Sequence, residues 1–385
     1  MKKIALAVEN FSPFAGGAES YAVSLAAFLS DSGWEVHLFG ERWEGYPPNA
    51  VFHRMKVPSF LPAFMKILVF ALKCRKRMLR DHYDVVLGFG NTIHMNVYQS
   101  HGGVHNISTK KKIYAEPNAI VRFFKRITLF FSAKHYTRHW IESAPFQMQP
   151  APIIVAISDM IKNDIKSFYK LPENNIQVVY NGVDVNRYNP TAGYSHRDKT
   201  RDWLGVKDNE TVFLFLSYDL KKKGIIPLIS AALILKQKGC RFRIVVAGGS
   251  PNMALKKRIK KFGLHNLFLF LGKTRNPLAL YGGSDVFVLP TYYDACSLVV
   301  FEAMACGLPV ITTNANGAAG IINNGEDGMV LQHPPEAVEL ADKMEHLMIA
   351  PVRLQMGEKA VQKVKVYTIE KNHRAMAQIF ERLVK

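Results

Sequence analysis

The chain has 385 residues, 48% hydrophobic and 21% charged, and a formal net charge of +19. That apolar fraction supports packed cores and excludes wholesale disorder or a collagen-like fibre, and a length prior of about 150 residues per domain gives two domains, or three. Cys74, Cys240, Cys296 and Cys306 are scattered with no CxxC or Cys/His spacing, which argues against a disulfide framework or a structural zinc and for a reducing compartment.

The chain opens on an apolar run, Lys3 to Val8, too short for a signal peptide, which reads as the first buried strand of a cytoplasmic protein. Gly16-Gly17 breaks it. Ala22, Leu25, Ala26 and Leu29 then fall at i, i+3, i+4 and i+7, the period of an amphipathic helix. Asp31-Ser32-Gly33 ends that helix, and Trp34 to Gly40 returns as a strand. The longest apolar stretch, Phe60 to Leu72, is interrupted by Lys66 and falls short of the roughly 20 residues a membrane span needs. Asp84 to Gly88, Ile153 to Ile157 and Ile176 to Tyr180 are further short strands. Asn181 to Thr200 is polar and turn-rich, a natural boundary. Beyond it the same alternation resumes, with strands expected at Val212–Leu216, Phe242–Ala247, Leu267–Leu271, Val286–Leu289 and Val310–Thr312. A last helix starts near Thr368, and its stripe of Met376, Ile379, Phe380 and Leu383 must dock on something. Short strands alternating with helices imply parallel sheets, here two doubly wound α/β domains facing each other across a cleft. The expected division is 1–183, then 184–365, with 366–385 crossing back to the first domain.

Charge is concentrated. From Val51 to Trp140 there are 16 Lys/Arg against 3 Asp/Glu, a net of +13, whereas the first fifty residues carry 3 basic and 6 acidic side chains, a net of −3. Such a patch attracts a polyanion: nucleic acid, acidic lipid or a phosphorylated substrate. Within an insertion at about 105–140, Ile120, Phe123, Phe124, Ile127 and Phe131 share one helical face. Arg122, Lys125 and Arg126 share the other, and Lys110, Lys111 and Lys112 precede them. A basic and aromatic helix of this kind suits an anionic membrane surface, and suits equally a helix packed on its own domain.

The segment richest in chemistry is Pro290 to Val310. A strand runs into a loop, and a helix starts near Ser297, a good N-cap residue. The free amides at Leu298 and Val299 and the positive end of the helix dipole would bind phosphate. Asp294 precedes this start, and Glu302 lies one turn inside, placed to accept ribose hydroxyls or merely to complement the dipole. Ser217 to Gly224 holds Lys222 and Lys223 between a strand and a helix, which taken alone reads as an ordinary solvated turn or as a pair of cations facing an anion. His94, His101 and His105 lie close in sequence without an acidic partner, a weak metal pattern. The spacing at Gly16-Gly17 is not GxGxxG, which disfavours a nicotinamide enzyme.

Asp294, seven residues, Glu302 and then Ala303-Met-Ala-Cys-Gly-Leu-Pro-Val-Ile311 resemble the donor-sugar signature of GT-B-fold glycosyltransferases of family 4. The resemblance implies that Glu302 holds the nucleotide ribose and Asp294 the sugar hydroxyls. It places the diphosphate on the Cys296 to Val299 amides with Lys222 and Lys223, and no metal or other cofactor is required. Phe14 to Ser20 is similar to the family's first glycine loop, with Gly16 and Gly17 beside the donor. Gly249 and Gly272-Lys273 match further backbone positions, the latter near the nucleobase. His101-Gly102-Gly103 matches a loop beside the transferring sugar, where His101 would position a hydroxyl or stabilise charge. Many relatives carry Glu where Asp294 stands, and relatives of the type most similar to this chain carry Asp where Gly102 stands. With Trp43-Glu-Gly45 and the basic insertion, the chain is most similar to the lipopolysaccharide core glucosyltransferase I type. The resemblance implies a retaining transfer of a hexose, glucose from UDP-glucose, to a lipid-anchored core acceptor at the inner membrane. Two other readings remain: a nucleotide-sugar epimerase or hydrolase on the same fold, and a non-enzymatic basic protein binding a polyanion or a membrane. No RNA-binding or recognition-helix pattern is present, so nucleic acid is not expected.

Overall fold

The computed structural model describes residues 2–12 and 16–384, so Phe14 and Ala15 of the first glycine loop lie outside the described residues. The chain divides into two compact units. The first holds the residues through Lys110, then Asn118–Tyr180 and everything from Lys371 on; the second holds Lys111–Pro117 and Asn181–Glu370.

The first unit is built on a seven-stranded sheet, in the order Val51–Arg54, Glu35–Gly40, Lys3–Ala7, Val85–Gly88, Val97–Ser100, Ile153–Ala156 and Ile176–Val178. Every pairing in it is parallel; Ile4 sits opposite both Val36 and Val85. The central strands are near-continuous Val, Ile, Leu and Ala because both faces are covered. Helix Gly17–Asp31 covers one face with Tyr21, Ala22, Leu25, Ala26 and Leu29, all buried. The last helix, Ile369–Glu381, sinks Met376, Ile379 and Phe380 into the same core. Phe380 meets Trp34 edge to face, the ring centres 6.2 Å apart. Polar contacts fix its start: Asn372 accepts from the Tyr21 hydroxyl at 2.9 Å and donates to the Tyr180 carbonyl at 2.7 Å.

The second unit repeats the plan with six parallel strands, in the order Phe268–Gly272, Phe242–Gly248, Thr211–Ser217, Val286–Leu289, Val310–Thr313 and Met329–Leu331. From Thr211–Ser217 the chain first winds one way through the sheet. It then returns to add Val286–Leu289 on the other side of that strand. The order therefore reverses between these two strands, the position at which sheets of this type bind ligands beyond their carboxyl ends. A buried cluster braces the lower edge. The Asp285 carboxylate takes Arg197 at 2.7 Å, Arg201 at 3.1 Å and the Val212 amide at 2.8 Å.

The basic insertion is three helices, His105–Ile113, Ala119–Phe130 and Ala133–Ser143. The middle one starts on an Asn118 side chain that accepts from the Ile120 and Val121 amides, and none of its residues is buried. Phe123 and Phe124 are 59% and 58% exposed, and Phe131, just past its end, 77%. The expected apolar face is therefore present and largely exposed. Lys110, Lys111 and Lys112 are not a separate lead-in to that helix. They end the preceding helix, and Lys111 and Lys112 pack with the second unit.

Candidate active site

Two loops leave the sheet of the second unit where its strand order reverses. The first follows Thr211–Ser217 and carries Lys222 and Lys223; the second follows Val286–Leu289 and carries Asp294 to Ser297. They are stitched together through backbone. The Tyr292 amide donates to the Lys222 carbonyl at 3.0 Å. Gly224, at φ +94°, ends the first loop, and a Cβ there would stand 2.0 Å from the Pro290 carbonyl oxygen. Only glycine accommodates that crossing.

The cations are held by acids. The Lys222 ammonium donates to Asp219 at 2.6 Å, and the Asp219 carboxylate also takes the Lys222 amide at 3.1 Å. Burial alone would lift the Asp219 carboxyl, but the bonds from Lys222 outweigh it and hold the acid low. Lys223 pairs directly with Asp294. Burial raises the Asp294 carboxyl too, and Lys223, the Ser297 hydroxyl and Lys112 together overcome it, so Asp294 is ionised at neutral pH. The phosphate-binding lysine and the sugar-binding acid of the sequence reading are thus in contact.

Ser297 occupies the N-cap position of helix Leu298–Ala305 but does not cap it with its side chain. Its hydroxyl donates to Asp294 instead. Its amide donates to the Asn316 side chain at 3.2 Å, while Asn316 also takes the Ala318 amide at 3.1 Å. Leaving the first amides of this helix without a side-chain acceptor keeps its positive end available to an anion. Cys296 is buried, and its carbonyl accepts from the Asn181 side chain at 2.9 Å. Its thiol is pushed far up by burial, so it serves the site through its backbone. Glu302, half-buried a turn further in, accepts from the Tyr281 hydroxyl at 2.7 Å. Burial raises the Glu302 carboxyl, and Tyr281 and the charge of Arg187 only partly offset it.

Gly249 is required for packing, since a Cβ there would stand 2.6 Å from the Tyr218 carbonyl oxygen. Lys273 is exposed just past strand Phe268–Gly272, beyond the same sheet edge as the lysine loop. In the first unit, Gly16 precedes helix Gly17–Asp31 with no side-chain cap, so that helix start is also uncapped. His101 lies against the Tyr21 and Phe89 rings, at 4.6 and 5.2 Å, and its Nε2 has no hydrogen-bond partner among the described residues. Burial pushes its pKa down to about 3, so the imidazole is neutral at pH 7. Asp219, Tyr281 and Asn316 were not visible in sequence. Nothing in their local pattern marks them; each is defined by a partner 3 to 21 residues away. Among the described residues no three His, Cys, Asp or Glu side chains gather as metal ligands, and the charged groups of the site suit an anion.

Two family profiles match the chain: "Glycosyltransferase Family 4" over residues 15–187 and "Glycosyl transferases group 1" over 196–364. Among curated proteins, it is similar to the lipopolysaccharide glucosyltransferase WaaG of Escherichia coli (strain K12), 23% identical over 93% of this chain and 92% of that one. It is also similar to the N-acetyl-alpha-D-glucosaminyl L-malate synthase of Bacillus anthracis, 24% identical over 91% and 90%. The chain spans about half the length of some other curated relatives it matches. A solved structure of WaaG superposes with a TM-score of 0.81 at 20% identity, covering 98% of this chain and 99% of that one. That of Anabaena HepE in complex with UDP and glucose superposes with a TM-score of 0.72 at 18% identity, covering 99% and 100%. At these identities the structural likeness establishes the fold, two parallel-sheet units of the GT-B type.

Proposed function

The chain belongs to the group 1 and family 4 glycosyltransferases and is a hexosyltransferase, and from that premise we propose that it moves glucose from UDP-glucose to a lipopolysaccharide core or a related cell-surface glycan. The observation that carries the donor half is the cluster at the reversal of the second sheet: Lys222 and Lys223 on one loop, the uncapped helix start at Leu298 on the other, and Glu302 one turn in. Two ammonium groups and a helix N-terminus stabilise charge growing on a departing diphosphate with no metal required. Glu302 holds the ribose hydroxyls, and Asp294 orients the sugar once the diphosphate takes over Lys223. UDP-glucose as donor is supported by the likeness to HepE, whose structure holds UDP and glucose. The lipopolysaccharide acceptor is supported by the likeness to WaaG.

The reaction is written as a retaining transfer. The bond from the sugar C1 to the diphosphate oxygen breaks, the acceptor oxygen bonds C1 on the same face, and its proton passes to the leaving phosphate. No separate base is needed. His101 is neutral, which fits hydrogen bonding to a sugar hydroxyl better than charge stabilisation. The exposed basic helix Ala119–Phe130 supports a membrane-surface role at the cytoplasmic face of the inner membrane, where each surface Lys or Arg would contribute about 1 kcal/mol. No described helix is long and apolar enough to cross a membrane. The test is to incubate the chain with UDP-glucose, with and without purified lipopolysaccharide core acceptor. UDP release that depends on acceptor is expected. Equal consumption of the donor without acceptor would favour the epimerase or hydrolase reading.

A further inference from the structure

Residues Lys111–Pro117 pack with the second unit although they come from the first half of the chain. Their side chains fasten onto the donor loops. The Lys111 and Lys112 ammonium groups lie 5.5 and 5.3 Å from the centre of the Tyr293 ring. The Tyr114 ring meets His333 edge-on at 5.6 Å, and His333 meets Tyr292 in turn at 6.1 Å. Glu116 takes the Lys221 ammonium at 2.8 Å. The segment is thus tied to the residues that flank Lys222, Lys223 and Asp294.

Lys112 is half-buried there, facing Lys223, Lys222, Asp294 and Asp219, with Lys111 beside it over the same ring. A cation resting on Tyr293 explains one lysine at this place. It does not explain a lysine buried among other lysines. Like charges at close range and lost solvation both raise the energy of the empty site, and a bound anion relieves both. Burial, then the charge of Lys223, lowers the Lys112 ammonium to about 8.

We propose that Lys112 is a phosphate-binding residue of the donor site, completing with Lys222 and Lys223 a three-ammonium cradle for the nucleoside diphosphate. The inference rests on the donor-site reading above. It also corrects the grouping of Lys112 with the membrane-facing cations. A phosphorylated acceptor would offer the same chemistry, and binding of UDP with no acceptor present separates the two.

The test is calorimetric titration of UDP and of uridine into the wild-type chain, Lys112→Gln and Lys112→Arg, with melting curves as the check on folding. Lys112→Gln is expected to bind UDP about tenfold more weakly or worse, the range for a lost bond to a charged group. Uridine, which has no phosphate, should bind it as it binds wild type, and Lys112→Arg should keep UDP affinity. The protonated form is the one that binds, and its proton is lost as pH rises through a lowered pKa. Wild-type affinity for UDP should therefore fall between about pH 7 and about pH 9, and Lys112→Arg should not show that fall. UDP affinity unchanged in a folded Lys112→Gln overturns the inference and leaves the donor site standing. Equal weakening for uridine and UDP marks damage to the site and also counts against it. A wild-type chain that binds neither ligand removes the donor reading itself, and this inference with it.

Discussion

Glu302 is asked to be charged in a place that disfavours charge. Its carboxyl is raised by burial, so the ionised form that would hold a ribose costs the folded protein stability at neutral pH. Glu302→Gln keeps an oxygen for the Tyr281 hydroxyl and removes the charge. That variant should melt at or above the wild-type temperature while binding UDP at least about tenfold more weakly, a separation that paired melting and titration experiments would show. Wild-type UDP affinity should likewise fall on acidification through the raised pKa, as the carboxylate is lost. His101 makes the opposite statement. With its pKa near 3 it does not titrate between pH 5 and pH 8, so His101→Asn should lower transfer without altering the pH profile in that window. A change in the acidic limb on substitution would mean that the imidazole is charged in the working enzyme. Asp294, Glu302, Lys222 and Lys223 were singled out in the sequence through the resemblance of Asp294 to Ile311 to the family 4 donor signature, whereas spacing alone left their roles open. The same reading gave Ser297 a capping role that its hydroxyl does not perform, because propensity cannot foresee that Asp294 competes for it. Tyr281 and Asn316 look like ordinary core residues until the fold delivers them.

Strands buried on both faces were legible because runs of Val, Ile, Leu, Phe and Ala dominate them, as in Val286–Leu289 and Ile153–Ala156. Three strands of the two large sheets escaped notice: Met329–Leu331 is only three residues long, and the other two depart from that pattern. Val51–Arg54 is an edge strand with exposed ends, and Val97–Ser100 is buried but holds Gln99, whose amide finds the Tyr21 hydroxyl at 3.0 Å. One excursion of the chain into the second unit escaped sequence periodicity. Lys111–Pro117 lies within a stretch that reads as one basic insertion, and its membership is decided by contacts to Tyr293, His333 and Lys221. One buried charge can be tested directly. Asp285 compensates Arg197 and Arg201 and one strand amide, so Asp285→Ala leaves a buried guanidinium unpaired. The expected loss is about 3–5 kcal/mol in urea unfolding. A loss below about 1 kcal/mol would mean that the arginines are adequately solvated without it.

The excess of +13 between Val51 and Trp140 is carried by surfaces with different destinations. Lys111 and Lys112 turn to the donor loops, while Arg122, Lys125 and Arg126 stay with the exposed helix Ala119–Phe130. If that helix rests on lipid, Phe123→Ser with Phe124→Ser should sharply reduce sedimentation with vesicles containing anionic phospholipid. Arg122, Lys125 and Arg126 changed to Glu should do the same, more strongly at low salt. Neither set should alter UDP affinity. Binding to vesicles that persists in both would mean that this helix is not the membrane-binding surface. The donor site is the claim on which the rest depends. The most direct measurement of it is titration of UDP-glucose, without divalent metal, into the wild-type chain and Glu302→Ala. The account predicts binding by the wild type and loss of most of that affinity in the variant. Equal binding by both, or none by a folded wild type, would contradict it.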